Sequence, residues 1–234
     1  MRTVELILND DRDYGVREAF NTLRTNILFS GRDVKTILVT SCVAGEGKST
    51  VAFETAVGLA RVGKKVLLID GDLRKSEYAS RYTKESGLAG LSQYLSGQVE
   101  LDQVLYATQI PTLNIIFAGP FPPNPAELTG APAFGELIRA EREHYDYILI
   151  DTPPLGLVID AAVMATVCDG AVLVVGAGMV SYHMAQRIIG QLRKSGCRIL
   201  GAVLNRNRRR RRAGKDRYYA SYYGQYASNN NHEK

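Results

Sequence analysis

The sequence predicts a doubly wound α/β fold, in which helices cover both faces of a mostly parallel sheet. Two observations support this fold class. Strand-like runs alternate with helix-like segments along most of the chain, and the strand-like runs are continuously apolar. Continuous apolar runs indicate strands that are buried on both faces, and the alternation indicates right-handed crossover connections. A ligand of such a fold binds at the carboxyl ends of the strands.

Before the sheet, an amphipathic helix is predicted over Tyr14–Phe29, because apolar residues recur there at helical spacing. We expect residues 1–33 to form an N-terminal helical extension that could serve oligomerisation. Residues 34–205 are expected to form the core domain, which contains the phosphate-binding loop described below. Residues 206–234 are expected to be a basic linker and a flexible, tyrosine-rich tail, because hydrophobic periodicity vanishes there.

Six strands and five helices are predicted for the core. The strands are expected at Thr36–Thr40, Lys65–Asp70, Leu113–Phe117, Tyr147–Asp151, Ala171–Val175 and Ile199–Leu204. The helices are expected at Ser49–Arg61, Leu88–Leu95, Pro132–His144, Ile159–Val167 and Ser181–Ser195. The proline-rich stretch Ala118–Pro125 is predicted to be a stiff surface loop.

A phosphate-binding loop is predicted between the first core strand and the first core helix, where the chain reads Ser41-Cys-Val-Ala-Gly-Glu-Gly-Lys-Ser-Thr50. Glycines let backbone N–H groups turn toward a phosphate, the lysine reaches the β- and γ-phosphates, and the next hydroxyl supports Mg²⁺. The usual pattern opens on a glycine, where this chain has Cys42, and a plain strand-to-helix turn is the alternative. The predicted nucleotide-binding residues are Ala44, Gly45, Glu46, Gly47, Lys48, Ser49 and Thr50.

Three aspartates follow or end buried strands. Asp70 and Asp72 lie two residues apart at a strand end, so their side chains are expected to point the same way. Beside a Mg-nucleotide, one carboxylate can hold the metal or its waters, and the other can take a proton from a nucleophile. A solvated strand-to-loop turn is the alternative. Asp151 ends the strand Tyr147–Asp151, where proteins with a phosphate loop carry a Mg²⁺ partner.

The formal net charge of +5 is concentrated near one end of the chain. Residues 206–217 contain seven arginines and one lysine against one aspartate, so the rest of the chain carries a net charge of −2. The excess of basic residues therefore lies in this C-terminal segment and not in the core, and no nucleic-acid partner is expected. For Arg208–Arg212 the interpretations are a solvated linker, contact with anionic lipid headgroups, or nucleic acid, which would lack a base-stacking scaffold here.

The remaining bulk properties indicate a cytoplasmic protein. No apolar run approaches the roughly 18–20 residues of a membrane span. The N-terminus lacks the layout of a signal peptide. Three widely separated cysteines show neither metal-ligand spacing nor a disulfide framework, which suits a reducing compartment.

These motifs together resemble a known family. The order of Gly-Glu-Gly-Lys-Ser-Thr50, then Leu-Leu-Ile-Asp70-Gly-Asp72-Leu-Arg74, then Ile-Leu-Ile-Asp151-Thr-Pro-Pro, and finally a tyrosine cluster is similar to the bacterial tyrosine kinases of capsule and exopolysaccharide synthesis, in their stand-alone cytoplasmic form. The resemblance covers almost the whole chain and includes Glu18–Ile27, Gly90–Gly97 and Pro122–Leu128.

The resemblance implies a role for each site residue, with ATP and Mg²⁺ as cofactors. It implies that Lys48 binds the β- and γ-phosphates and that Asp70 is the base near the attacking tyrosine. Ser49, Asp72 and Asp151 are implied as the metal site, with Thr50 as an alternative to Ser49. Asn205 falls where related folds contact adenine. The implied phosphate acceptors are Tyr218, Tyr219, Tyr222, Tyr223 and Tyr226. A phenol with a pKa near 10 does need a carboxylate to accept its proton at neutral pH.

Partners are implied in the same way. The resemblance implies a homo-oligomeric ring with transfer between neighbouring chains, a membrane adaptor of the polysaccharide co-polymerase type, and a cognate phosphotyrosine phosphatase. It also implies recruitment to the inner face of the cell membrane. Glu18 and Arg24 fit the Glu-x-x-Arg-x-x-Arg motif of ring assembly, but Asn21 stands at its middle arginine. Ser76 replaces a proline that is frequent in the family, and Thr129 replaces a common leucine.

Another class of protein shares this fold. A MinD/ParA-like switch ATPase without kinase activity is the alternative, and an inactive scaffold that only binds nucleotide is a third interpretation. Switch ATPases usually carry an additional lysine five residues before the main one, where this chain has Val43. The missing lysine and the clustered tyrosines favour the kinase.

Overall fold

The computed structural model describes residues 2–9, 11 and 13–207, and these form eight strands and nine helices. The strands are β1 (Arg2–Val4), β2 (Thr36–Ser41), β3 (Val66–Asp70), β4 (Leu105–Thr108), β5 (Leu113–Ile116), β6 (Tyr147–Asp151), β7 (Gly170–Gly176) and β8 (Arg198–Asn205). The helices are α1 (Tyr14–Leu28), α2 (Lys48–Arg61), α3 (Tyr78–Tyr82), α4 (Leu91–Leu95), α5 (Leu101–Val104), α6 (Pro125–Gly130), α7 (Pro132–Glu141), α8 (Asp160–Ala165) and α9 (Tyr182–Lys194).

All eight strands form one sheet in the order β1-β4-β5-β3-β6-β2-β7-β8. Every neighbouring pair is parallel except β4 and β5, which are antiparallel. The predicted α/β fold with a mostly parallel sheet is therefore confirmed. The strand order also brings the ends of β3, β6 and β2 side by side at the centre of one edge.

Side chains alternate between two hydrophobic layers, one on each face of the sheet. In β3, Val66 and Leu68 belong to the layer that also contains residues of α1 and α2. Leu67 and Ile69 belong to the opposite layer, with residues of α4, α7, α8 and α9. Because both faces are covered, the strand is apolar at every position, as the continuous pattern predicted.

Helix α1 lies on the outer side of α2, and Ile27 is its only residue that is fully buried. It ends one residue earlier than predicted. No helix in the described part of the chain is long and apolar enough to cross a membrane.

The sequence did not predict two strands. Strand β1 has only three residues, and β4 has four residues whose burial alternates, so neither forms a continuous apolar run. Three helices, α3, α5 and α6, were also not predicted, because they are too short to show a helical repeat. The helix predicted from Leu88 begins at Leu91, because Gly90 is extended and packs closely on Gly119. A Cβ atom at Gly90 would lie 2.2 Å from the backbone nitrogen of Gly119.

Candidate active site

A cavity of about 660 Å³ opens at the carboxyl edge of the sheet, above the ends of β2, β3 and β6. Most of the predicted site residues within the described part of the chain line it. They are Ala44, Gly45, Gly47, Lys48, Ser49, Thr50, Asp72 and Asn205. Further basic side chains at its rim are Arg74, Lys75, Arg81 and Arg206. A cavity with this position and charge fits an anionic ligand.

The loop between β2 and α2 has the backbone shape that a phosphate requires. Gly45 and Gly47 have φ angles of 81° and 92°, in the left-handed region that favours glycine. A Cβ atom at Gly47 would lie 2.2 Å from the Asn205 side-chain nitrogen, so only glycine fits here. Helix α2 begins at Lys48 directly after this turn, and its first N–H groups are free to face a phosphate.

Glu46 is the one predicted loop residue whose side chain turns away from the cavity. It is fully buried. One carboxylate oxygen accepts hydrogen bonds from the backbone N–H groups of Cys42 and Val43, at 2.7 and 2.9 Å. The other accepts from the Gly176 N–H at 2.8 Å. The carboxylate therefore fixes the loop from beneath and ties it to the end of β7.

Asn205 reaches the same loop from the end of β8. Its side-chain nitrogen donates to the Glu46 backbone carbonyl oxygen at 2.8 Å. The backbone carbonyl oxygen of Asn205 accepts a hydrogen bond from the Ala177 N–H at 2.8 Å. The side chain also lines the cavity. Asn205 thus joins the outer strand of the sheet to the phosphate-binding loop, a role that the sequence did not indicate.

Lys48 lies among carboxylates at the floor of the cavity. Its ammonium nitrogen is 3.2 Å from Asp72 Oδ2 and 3.7 Å from Asp151 Oδ2, and it donates to the Ser49 hydroxyl at 3.1 Å. Burial lowers the pKa of Lys48, but the charges of Asp151 and Asp72 outweigh burial and raise it above its usual value. Lys48 is therefore positively charged at neutral pH.

Asp70 and Asp151 are directly opposite each other on the neighbouring strands β3 and β6, and both are fully buried. Burial, together with the nearby Asp151 charge, raises the pKa of Asp70 to about 8. Burial raises the pKa of Asp151 to about 6, although the Lys48 charge lowers it. Carboxyl groups whose pKa values approach neutrality are candidates for proton transfer.

These residues fit a magnesium ion that is bound together with a nucleotide. Neither carboxylate oxygen of buried Asp151 accepts a hydrogen bond in the described part of the chain, although Oδ2 is ion-paired with the Lys48 ammonium at 3.7 Å, so the carboxylate can serve as a metal ligand. Ser49 and Asp72 are close by, around the same lysine. Within the described residues, no group of three or more His, Cys, Asp and Glu is arranged to hold a metal alone. Mg²⁺ usually takes one or two carboxylates and completes its shell with phosphates and water.

The segment that follows Asp72 is held to its surroundings by side chains that the sequence analysis did not select. Arg74 forms two hydrogen bonds, of 2.5 and 3.2 Å, with the buried carboxylate of Asp160 at the start of α8. The Tyr78 hydroxyl donates to the Ser49 carbonyl oxygen at 3.0 Å. Both contacts join residues that are far apart in sequence, so no local pattern could reveal them.

Next to this cavity lies an apolar groove of about 590 Å³. Leu157 and Val158 line both the groove and the cavity, so the two are continuous. Leu157 and Ile159 expose 62% and 66% of their surface, which is unusual for large apolar side chains. The groove is bordered by Gln191, Lys194 and Ser195 near the end of α9.

Two further groups of predicted residues lie in the tail. The tyrosines from Tyr218 to Tyr226 and the tract Arg208–Arg212 lie outside the described residues.

The predicted ring-assembly residues lie on α1, where the side-chain nitrogen of Asn21 donates to the Glu18 carboxylate at 2.9 Å. Glu18 is thus engaged within its own helix in the isolated chain.

Comparison with known proteins gives consistent matches over most of the chain. The AAA domain family matches residues 34–195. The tyrosine-protein kinase CpsD of Streptococcus agalactiae is 42% identical over 189 residues, which cover 81% of this chain and 82% of that protein. The tyrosine-protein kinase YwqD of Bacillus subtilis is 37% identical over 216 residues, which cover 92% of this chain and 87% of that protein.

Solved structures of both a tyrosine kinase and a switch ATPase are similar to this chain. The kinase domain of the Escherichia coli tyrosine kinase ETK matches with a TM-score of 0.75 at 32% identity, covering 80% of this chain and 74% of that one. The septum site-determining protein MinD of Pyrococcus horikoshii, in complex with Mg-ADP, matches with a TM-score of 0.64 at 29% identity. That match covers 76% of this chain and 73% of that one. Both identity and TM-score are higher for the kinase domain.

Proposed function

This chain belongs to the AAA-domain proteins and, among them, to the bacterial tyrosine-protein kinases, and from that premise we propose how its residues act. The protein is an ATP-dependent protein-tyrosine kinase with a phosphate-binding loop. It transfers the γ-phosphate of ATP to tyrosines of its own C-terminal tail and thereby regulates polysaccharide synthesis or export. The observation that carries the proposal is the convergence of Lys48 and buried strand-end carboxylates on the phosphate-binding loop.

Each residue at the floor of the cavity has a distinct task in the proposed reaction. The loop N–H groups and Lys48 bind the β- and γ-phosphates and neutralise charge that develops during transfer. Ser49, Asp72 and Asp151 would hold Mg²⁺, which supplies further charge neutralisation when it is bound. The high pKa of Asp70 suits a general base for a phenolic proton, and the base must be in its ionised form to act.

The acceptors are proposed to be Tyr218, Tyr219, Tyr222, Tyr223 and Tyr226. The proposal is supported by the composition of this segment, which places five tyrosines among nine residues with no Leu, Ile or Val to form a core. Phosphates on neighbouring tyrosines repel one another, so the segment is a suitable place for a charge-dependent change in association.

A labelling experiment tests the proposal. Purified protein is incubated with Mg²⁺ and γ-labelled ATP, alone and with the cytoplasmic segment of its adaptor. We expect label on the chain, no label on the Lys48→Met variant, and little label when all five tail tyrosines are replaced by Phe. Labelling that survives Lys48→Met would contradict the assignment of the site.

The partners that we propose are a membrane adaptor of the polysaccharide co-polymerase type, further copies of this chain in a ring, and a cognate phosphotyrosine phosphatase. The apolar groove supports the adaptor, because it is continuous with the nucleotide cavity and exposes Leu157 and Ile159. A segment bound there would lie beside the nucleotide. Through this contact the kinase would be recruited from the cytoplasm to the membrane.

A switch ATPase is the second candidate function, since MinD shares the fold. Its usual extra lysine is replaced by Val43 in this chain. Mixing the Lys48→Met variant with a chain truncated at residue 207 distinguishes a kinase from a switch ATPase. It also distinguishes transfer between chains from transfer within one chain. Label on the Lys48→Met chain would require transfer between molecules, whereas a switch ATPase would release free phosphate only.

A further inference from the structure

The segment between β3 and α3 passes directly beside the proposed base and is fixed at several points. Its Arg74 is bound to Asp160 of α8, and Lys75 N–H donates to the Asp72 carboxylate at 3.0 Å. The Tyr78 hydroxyl, at the start of α3, is bound to the Ser49 carbonyl. Ser76 lies between these attachments, so the position of its backbone is well determined.

The Ser76 hydroxyl has one hydrogen to donate, and when Asp70 is ionised, as a base must be, the carboxylate can only accept that hydrogen. The oxygen accepts a hydrogen bond from the Tyr78 N–H at 3.3 Å. It donates its own hydrogen to Asp70 Oδ2 in a short bond. Since a hydroxyl can donate only once, Ser76 is committed to Asp70.

The other bonds to the Asp70 carboxylate are long. The backbone N–H of Asp72 lies 3.3 Å from Oδ1, and that of Ala118 lies 3.4 Å from Oδ2. Both distances exceed the usual range for a strong N–H···O bond. Lys48 is paired with Asp72 and Asp151 instead. Among the described contacts, the Ser76 hydroxyl is therefore the closest donor to Asp70 and the main restraint on its orientation.

A carboxylate offers about four lone-pair sites for hydrogen bonds. Three donors occupy three of them in Asp70, from Asp72, Ser76 and Ala118. One site is left for a further donor, which is the number that a single acceptor hydroxyl requires. If the carboxylate rotated, this free site would no longer be directed to one place.

We propose that Ser76 is a positioning residue, which orients the Asp70 carboxylate so that its remaining lone pair receives the proton of the acceptor tyrosine. This inference rests on the proposed kinase function. Ser76 is assigned a positioning role because its hydroxyl is bonded to the Asp70 carboxylate.

The test compares Ser76→Ala with Ser76→Thr, which keeps the hydroxyl. Tail phosphorylation is measured at saturating Mg-ATP, and KM for ATP is measured in parallel. We expect kcat to fall about tenfold in Ser76→Ala, since small displacements of a catalytic group reduce rates by one to two powers of ten. KM for ATP should be unchanged, and Ser76→Thr should retain most of the wild-type kcat. Ser80→Ala is the matched control, because Ser80 is exposed on α3 and its hydroxyl donates to the nearby Glu77 carbonyl.

A double-mutant cycle then shows whether Ser76 acts through Asp70. In an Asp70→Asn background, Ser76→Ala should cause no further loss of kcat, because coupled residues are not additive. An unchanged kcat in Ser76→Ala, or a tenfold loss that persists in the Asp70→Asn background, would overturn the inference. The wild-type chain is assayed alongside, and its failure to phosphorylate the tail would contradict the proposed function itself.

Discussion

At the scale of single residues, the site depends on charged groups that are buried beneath the cavity floor. Asp70 and Asp151 are fully buried, and Lys48 is only slightly exposed. Burial strengthens electrostatic interactions because little water screens them. The same burial raises the pKa values of both aspartates toward neutrality, which suits groups that exchange a proton or a metal.

The proposed base gives the first prediction. Asp70→Asn replaces the ionisable carboxylate by a neutral amide, which cannot take up the acceptor proton near neutral pH, while nearly preserving the size of the side chain. We expect kcat for tail phosphorylation to fall about 100-fold or more, which is typical for the loss of a general base. KM for ATP should change little, because Lys48 and the loop remain. A kcat within a factor of two of the wild type would show that Asp70 is not the base.

Glu46 gives a prediction about stability. Glu46→Gln replaces one carboxylate oxygen by an NH₂ group, so at least one of the backbone N–H groups of Cys42, Val43 and Gly176 loses its acceptor. We expect the free energy of unfolding to decrease by about 1–3 kcal/mol, measured by urea denaturation. The control is Glu77→Gln, since the Glu77 side chain is 56% exposed. An equal effect of both substitutions would argue against the structural role of Glu46.

At the scale of elements, the site is formed where the ends of β2, β3 and β6 meet. The register places Asp70 directly opposite Asp151, and β2 delivers the phosphate-binding loop beside them. The amino ends of β2 and β7 are held together as well. Asp169, just before β7, accepts hydrogen bonds from the backbone N–H groups of Lys35 and Thr36 at 2.9 and 2.7 Å. It also pairs with Arg142, which follows α7.

This junction predicts a pH-dependent contribution to stability. Burial raises the pKa of Asp169, but the hydrogen bonds from Arg142, Thr36 and Lys35 outweigh burial and hold it below the usual value. A carboxyl whose folded pKa is lowered stabilises the fold above its unfolded pKa of about 3.9. That contribution is lost as the pH falls through the folded pKa.

The measurement compares Asp169→Asn with the wild type. At pH 7 we expect the substitution to reduce the free energy of unfolding by about 1–3 kcal/mol, as for hydrogen bonds to a charged group. The difference between the two proteins should shrink as the pH is lowered through the range below about 4. A difference that stays constant from pH 7 to the acid range would contradict this interpretation of the junction.

The strands and long helices of the core could be predicted, because their signal is a continuous apolar run or a long helical repeat. Strand Tyr147–Asp151 has the predicted bounds, and the helix predicted from Ser49 begins one residue earlier, at Lys48. Short or edge elements such as β1 and β4 could not be predicted, because their few residues make no such run.

Some residues of the candidate site could likewise be predicted from the sequence, and others could not. Lys48, Asp72 and the loop glycines were predictable from local motifs, and the structure places them around one cavity. The Ser76–Asp70 bond could not be predicted, since it depends on how the segment after β3 folds back. The inward turn of the Glu46 side chain depends equally on contacts across the sheet, with Gly176 on β7.

At the scale of the whole molecule, the nucleotide should stabilise the fold, because its site joins segments from most of the central strands. Ligand at about 100 times its Kd adds about 2.7 kcal/mol to the free energy of unfolding. For a chain of this size we expect Tm to rise by roughly 5–10 °C with Mg-ATP. The measurement is a thermal melt followed by circular dichroism.

The same melt provides its own controls. The rise in Tm should be smaller when EDTA removes Mg²⁺, because Asp72 and Asp151 would then face the phosphates without a compensating cation. It should also be smaller for Lys48→Met. An identical rise with and without Mg²⁺ would contradict the assignment of Ser49, Asp72 and Asp151 to the metal.

The central claim is that the γ-phosphate goes to the tail tyrosines. The most direct measurement follows labelled γ-phosphate in the full chain with its adaptor segment, and separates phosphate on peptides from free phosphate. The account predicts label on peptides that contain Tyr218, Tyr219, Tyr222, Tyr223 or Tyr226. Release of all label as inorganic phosphate, with this segment unmodified, would contradict it.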